Sequence, residues 1–225
     1  MEMNFRTLYQ SVFLLLASSI TLPALADNEN VVLPNTVTEM RAELDVVNFD
    51  ITDKKGRIER LKILLPHAED LAMKNEDNAG FQMMAGFYNA QYAGYTGGVG
   101  ALKYAKAARK YLEKSTEIDP SIYGASAHSV LGTIYYQVPG WPIGFGDKKK
   151  ALKNYQTALQ LSPDGMDSNF TYGEYLFNQK KYAEARTYFE KAKLAPARKD
   201  RPKADVFAHE ALQKYIAEIE KRLSK

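Results

Sequence analysis

ALKNYQTALQLSP, residues 151–163, can be laid over ARTYFEKAKLAP, residues 185–196, in one register: Ala151, Tyr155 and Ala158 match Ala185, Phe189 and Ala192. Pro163 closes the first stretch, and Pro196 closes the second one place early. A glycine in a helical run precedes each, Gly132 in one case and Gly173 in the other. Small residues facing each other let two helices approach closely, an aromatic fills the space beyond, and a proline stops the second helix. The pattern predicts helical-hairpin repeats, which stack into surfaces that hold other molecules and seldom carry chemistry of their own.

Working outward, Ala108 and Leu112 stand relative to Pro120 as Ala151 and Tyr155 stand relative to Pro163, with Ser115 in place of the second alanine. Three units follow, an irregular one over residues 79–120 and two more over 121–163 and 166–196. Before them, Val37, Met40, Leu44 and Val47 recur at helical spacing, and Ile58, Leu61, Leu65, Ala68 and Ala72 continue the period. After them, residues 203–224 carry Leu212, Tyr215, Ile216, Ile219 and Leu223 on one side and charge on the other. That composition suits a helix capping the end of a stack. No segment alternates apolar and polar residues for long, so the fold class is all-α: stacked antiparallel helical hairpins with a C-terminal capping helix.

The first 26 residues read differently. Residues 12–17 are apolar, and Ala24-Leu25-Ala26 is a small-x-small site ahead of Asp27, the signature of a secretory signal cleaved after Ala26. Glu2 offsets Arg6, whereas a start at Met3 would leave the leader positive. Ser18, Ser19 and Thr21 interrupt the apolar stretch, which falls short of the roughly 20 residues a membrane span needs. The chain has no cysteine, hence no disulfide framework and no lipidated cysteine tether. An exported, cysteine-free chain of this composition suggests the periplasm of a Gram-negative cell, with residues 27–225 as the helical domain. A formal charge of +3 is too weak to imply nucleic acid, and the run Lys148-Lys149-Lys150 reads as a solvated helix start.

Gly132 with Ala151, Ala158 and Pro163, and Gly173 with Tyr182, Ala185, Ala192 and Pro196, resemble tetratricopeptide repeats. More narrowly, residues 139–147 (PGWPIGFGD) followed by Lys150-Ala151-Leu152, and Ala195-Pro196-x-Arg198-x2-Arg201-Pro202, resemble exported bacterial proteins grouped with the T component of TRAP transporters. The resemblance implies a right-handed α-solenoid whose concave face is lined by the first helix of each hairpin. On that basis the groove residues are Ser129, Thr133, Tyr136 and Gln137 in the second unit. In the third they are Phe170, Glu174, Phe177 and Asn178, with Met83, Phe87 and Gln91 as candidates in the first. Aromatics beside amides and one acid suit a peptide or a small polar molecule better than a polyanion.

The hairpin turns hold further candidates. Gly132 and Ala151 are 19 residues apart where Gly173 and Ala185 are 12 apart, so the second unit carries an insertion; the first carries a longer one over residues 92–100. Tyr92 and Tyr95 in one, and Trp141 and Phe145 in the other, combine with glycines at one expected edge of the stack. They read either as a lid over the groove or as a plug filling the gap a longer loop opens.

Signs of catalysis are lacking. His67, His128 and His209 fall on separate helices without the paired spacing of a zinc site, and there is no nucleophile elbow or phosphate-cradling loop. The expectation is therefore a non-enzymatic adaptor without metal or cofactor, binding a protein or peptide through its concave groove. The alternative is an accessory protein that binds a small organic solute for a transport system. Neither reading involves nucleic acid, nor insertion in a membrane after signal cleavage. Export predicts that the mature chain begins at Asp27; intact mass of the exported protein checks it, and retention of residues 1–26 would contradict it.

Overall fold

The computed structural model describes residues 32–224, so the leader lies outside the described residues. Among these, nine α-helices follow one another and no strand occurs. Helix α1 (Val37–Asp45) starts at a capping box, in which Thr36 accepts from the Glu39 amide while the Glu39 carboxylate accepts from the amides of Asn35 and Thr36. It runs directly into one turn of π-helix (Val46–Asp50). Helix α2 (Lys54–Lys74) begins on Asp53 and α3 (Ala79–Thr96) on Asn78, each side chain accepting from first-turn amides. Then come α4 (Ala101–Ile118), α5 (Ile122–Gln137), α6 (Lys148–Leu161), α7 (Met166–Asn178), α8 (Tyr182–Lys193) and α9 (Pro202–Leu223).

Three antiparallel hairpins, α3/α4, α5/α6 and α7/α8, form the body, with α5 packed on both α4 and α7 so that the hairpins stack. Ala108, Ala151, Ala158, Ala185 and Ala192 are fully buried along the second helices. The nearest neighbours of the glycines, however, are larger side chains of the second helices. A Cβ on Gly132 would lie 2.7 Å from the Tyr155 ring, and one on Gly173 would lie 2.7 Å from the Phe189 ring. Gly86 meets Leu112 in the same way, at 2.6 Å. To the expected approach of small residues, kept at Gly86 by the Ala108 carbonyl oxygen at 3.3 Å, the structure adds a tighter contact of glycine against a large side chain of the partner helix: the missing Cβ makes the socket and Leu112, Tyr155 or Phe189 is the knob.

The turn of α5/α6, residues 138–147, is held by its own backbone, with the Gly146 amide donating to Pro139 (2.9 Å) and the Asp147 amide to Tyr135 (2.9 Å). No side chain fits at Gly146, where a Cβ would collide with the Val138 carbonyl. Asp147 then caps α6 through the amides of Lys149 and Lys150. In the first unit, by contrast, the expected long insertion shrinks to residues 97–100. Tyr92 and Tyr95 belong to α3 and are buried, because the helical period carries through Gly94 to Thr96.

Helix α9 also departs from expectation. Its apolar side packs on α8, where Tyr215 stacks on Phe189 with ring centroids 4.7 Å apart, as a cap would. Its start additionally reaches the π-helical turn near the other end of the described chain, where Phe49 and Phe207 stack at 4.6 Å. The row of hairpins is therefore closed across its concave side. Gly132→Ala gains about 1 kcal/mol in helix propensity but forces the Tyr155 ring out of its socket, for an expected net loss of about 1–2 kcal/mol in urea-denaturation stability. A stabilised variant would mean that ring and helix are not in contact.

Candidate functional site

Helical spacing brings one face of each first helix together: Phe87 and Gln91 from α3, Ser126, Ser129, Val130 and Thr133 from α5, and Met166, Asp167, Phe170, Thr171 and Glu174 from α7. They wall a cavity of about 160 Å³. Leu44, Asn48 and Phe49 close it from the N-terminal side, and Arg198, Arg201, Ala204 and Ala208 from the C-terminal side. The π-helical turn widens the spiral at the point where Asn48 and Phe49 are presented, and Asn48 is fixed by the Tyr95 hydroxyl, which donates to its Oδ1 at 3.1 Å.

The C-terminal closure is a strap of ion pairs. Arg198 donates to Asp167 Oδ1 and Asp205 Oδ1, both at 2.7 Å, while its backbone amide donates to Asp205 Oδ2 at 2.6 Å. Arg201 reaches Asp45 of α1 at 2.5 Å, Asp200 accepts from Arg41 at 2.9 Å, and Lys203 pairs with Asp50. Burial pushes the Asp167 carboxyl up, but the charges of Arg198 and Arg201, together with hydrogen bonds from Arg198 and Ser126, outweigh it and hold the group below the usual carboxylate range. Burial likewise disfavours the charge on Arg201, and the Asp45 carboxylate with the nearby Asp167 more than offsets it.

Beside the strap, α5 opens with three successive residues in the left-handed region, Tyr123, Gly124 and Ala125, with φ of 47°, 66° and 60°. Such a run costs an L-residue roughly 1–2 kcal/mol per position. It is held from outside by the Arg41 guanidinium, which sits over the Tyr123 ring at 3.9 Å, and from inside by Ser126, whose hydroxyl donates to the Tyr123 carbonyl. The turn delivers Ser126 and Ser129 to the cavity wall.

Two wall side chains lack partners. Gln91 and Ser129 are each 1% exposed, yet Gln91 Oε1 and Ser129 Oγ have no hydrogen-bond partner within the protein. Buried polar atoms are almost always satisfied, so an unpaired two in the wall of one cavity point to a ligand or ordered water there.

Of the residues expected in the groove, Ser129, Thr133, Phe170 and Glu174 line the cavity, as do Phe87 and Gln91. Tyr136, Gln137, Phe177 and Asn178 do not. Tyr136 packs edge-on against Tyr175 and accepts from Gln179, while Phe177 packs against Tyr182 and Tyr215. Gln137 carries a buried Oε1 without a partner, away from the cavity, and Asn178 is exposed on the last turn of α7. Met83 is in the core.

None of the edge residues lines the cavity either. Tyr92 packs against Tyr104 and Tyr95 against the N-terminal segment. Phe145 folds back edge-on against Tyr135, under the Arg109 guanidinium, and so plugs the loop. Trp141 is 90% exposed and is neither plug nor lid over the cavity. The histidines are spread out: His67 contacts the Pro34 carbonyl, His128 contacts Asn154, and His209 contacts the Asp205 carbonyl.

The strap predicts a pH signature. A carboxyl held low when folded stabilises fully above the unfolded value of about 3.9 and loses that contribution as pH falls through its lower folded value. Asp167→Asn is expected to lose about 1–2 kcal/mol at pH 7, with the gap to wild type closing only below about pH 4. A gap that closes near pH 6, or is absent at pH 7, would contradict the pairing.

Among the described residues no helix is long and apolar enough to cross a membrane. No curated protein matches the chain. Two segments match the family model of the tetratricopeptide repeat: residues 100–122, which cover α4 and the turn after it, and residues 167–195, which cover the α7/α8 hairpin. The α5/α6 hairpin between them, lengthened by its glycine-rich turn, lies mostly outside both matches. Together with the stacked hairpins, these matches support a tetratricopeptide-repeat family for the chain.

Proposed function

We propose that the protein is a non-catalytic, exported interaction scaffold that captures its partner through the concave face of its helical stack. The observation that carries this reading is the convergence of α3, α5 and α7 on one cavity, whose wall mixes phenyl rings with hydroxyls and an amide. Tetratricopeptide repeats suggest protein partners. Trp141, exposed at the apex of the α5/α6 turn, offers a second contact outside the cavity. Location in the periplasm rests on the leader over residues 1–26.

A second reading is favoured by the strap. Because α9 and the π-helical turn meet across the concave side, the space suits a chain end or a small organic solute better than the broad folded surface of another protein. A transport-accessory role of the T-component kind would fit such a solute and draws support from the residue 139–147 and Ala195–Pro202 motifs.

A photo-crosslinking residue at Thr133 in cells that export the protein is expected to capture a discrete adduct that the same residue at Lys153, exposed on α6, does not capture. Adducts from Lys153 alone would put the partner surface on the second helices and overturn the concave-face reading.

A further inference from the structure

Away from the cavity, one edge of the stack joins exposed apolar side chains to a cluster of lysines. The α3/α4 and α5/α6 turns meet there: a Cβ on Gly144 would lie 3.5 Å from Leu102 in the first turn of α4, and the Arg109 guanidinium of the same helix sits 4.4 Å from the Phe145 ring centroid. At the tips, Trp141 is 90% exposed, Val99 85% and Ile143 50%. The longer turn is closed by its own backbone, since the amides of Ile143 and Gly144 both donate to the Gly140 carbonyl, at 3.2 and 3.1 Å. Trp141 and Ile143 therefore project from an ordered turn, and an indole so placed adds nothing to the core.

The helices that leave these turns begin with positive charge. Lys103 and Lys106 are exposed on α4, and Lys148, Lys149 and Lys150 are exposed on the first turn of α6. None of the five forms an ion pair among the described residues, whereas Lys62, Lys74, Lys181 and Lys203 each have a carboxylate partner. The acids nearest in sequence are already engaged: Asp147 caps α6, and Glu113 accepts from the Tyr135 hydroxyl beside Arg109. Residues 99–161 hold nine bases and four acids, an excess larger than the formal +3 of the whole chain, so the remainder is net negative. Positive charge is thus gathered on the side of the stack that carries the apolar tips.

That combination matches one kind of surface. At a bilayer interface an indole rests among the headgroups, aliphatic tips reach the acyl boundary, and lysines lay their stems along the surface while the ammonium groups meet lipid phosphates. Single-stranded nucleic acid is held instead by successive rings along a basic groove, and here one indole stands on a projecting turn between aliphatic neighbours. We propose that this edge docks the protein on an anionic bilayer surface, with Trp141 and Ile143 entering the headgroup region and the lysines of α4 and α6 facing lipid phosphates. The docking is peripheral and does not depend on what the cavity holds.

Trp141 is the only tryptophan of the chain, so indole emission reports this turn alone. Protein purified from exporting cells is mixed with vesicles of phosphatidylcholine, or of phosphatidylcholine with about one third phosphatidylglycerol, and followed by sedimentation and fluorescence. Partition onto the anionic vesicles is expected to exceed that onto neutral ones at least roughly tenfold and to fall as salt is raised. Indole emission is expected to shift to the blue on the anionic vesicles and to be quenched by brominated acyl chains. Trp141→Ser with Ile143→Ser, and separately Lys148→Gln with Lys149→Gln, are each expected to lower the partition about fivefold or more while leaving the melting temperature unchanged, because these side chains face solvent. Equal partition onto both vesicle types, or anionic binding that leaves the indole emission unmoved, would overturn the proposal. A blue shift produced by polyglutamate or an oligonucleotide, and not by vesicles, would replace the lipid with an acidic macromolecule.

Discussion

The contact between a glycine on one helix and a large side chain on its neighbour organises the rest of this molecule. Gly86 against Leu112, Gly132 against Tyr155 and Gly173 against Phe189 recur once per hairpin, each with a separation that no Cβ would tolerate. Interiors are packed like crystals, so a socket of that shape permits one register of the two helices and excludes its neighbours. Repeating the same socket repeats the same hairpin geometry. Repeated geometry then sends the first helix of every hairpin to the same side, and that is why Phe87, Ser129 and Phe170 look into one space.

A row of hairpins alone would leave that space as an open groove. Here the two ends of the described chain close it: Asp45 is 156 residues from Arg201 and Arg41 is 159 residues from Asp200, yet both pairs are in hydrogen-bond contact. Breaking a partly buried pair is costly because a charge is left desolvated, whereas forming it contributes little net stability. The strap thus does less to stabilise the fold than to specify which end meets which. The left-handed run at residues 123–125 fits the same logic, since its backbone strain is tolerated where Arg41 and Ser126 hold it from both sides.

Local periodicity accounts for what could be read in advance. The resemblance to tetratricopeptide repeats implied Ser129, Thr133, Phe170 and Glu174 for the groove, and helical spacing keeps each pair on one face because residues three or four apart share a face wherever the helix goes. The same spacing overran the site at Tyr136 and Phe177. Those rings lie one turn too far along and interlock with Tyr175 and Tyr215 instead. Tyr92 and Tyr95 looked like loop residues because of the glycines around them, but a helix with buried faces carried through Gly94. Asn48, Phe49, Arg198 and Arg201 carried no local signal for the cavity, since their role arises only when segments far apart in sequence meet. The Arg198-x2-Arg201-Pro202 spacing was the one visible trace.

Everything said of the cavity, whether its occupant is a chain end or a small molecule, requires that α9 and the π-helical turn meet. The chain has no cysteine, so Phe49→Cys combined with Phe207→Cys provides a single thiol pair at the point of closure. Dibromobimane becomes fluorescent only when it bridges two thiols. Prompt fluorescence on the folded, unlinked monomer of the double variant, absent from either single variant, is the expected result. A double variant that stays dark while folded would show an open groove and contradict the closed cavity.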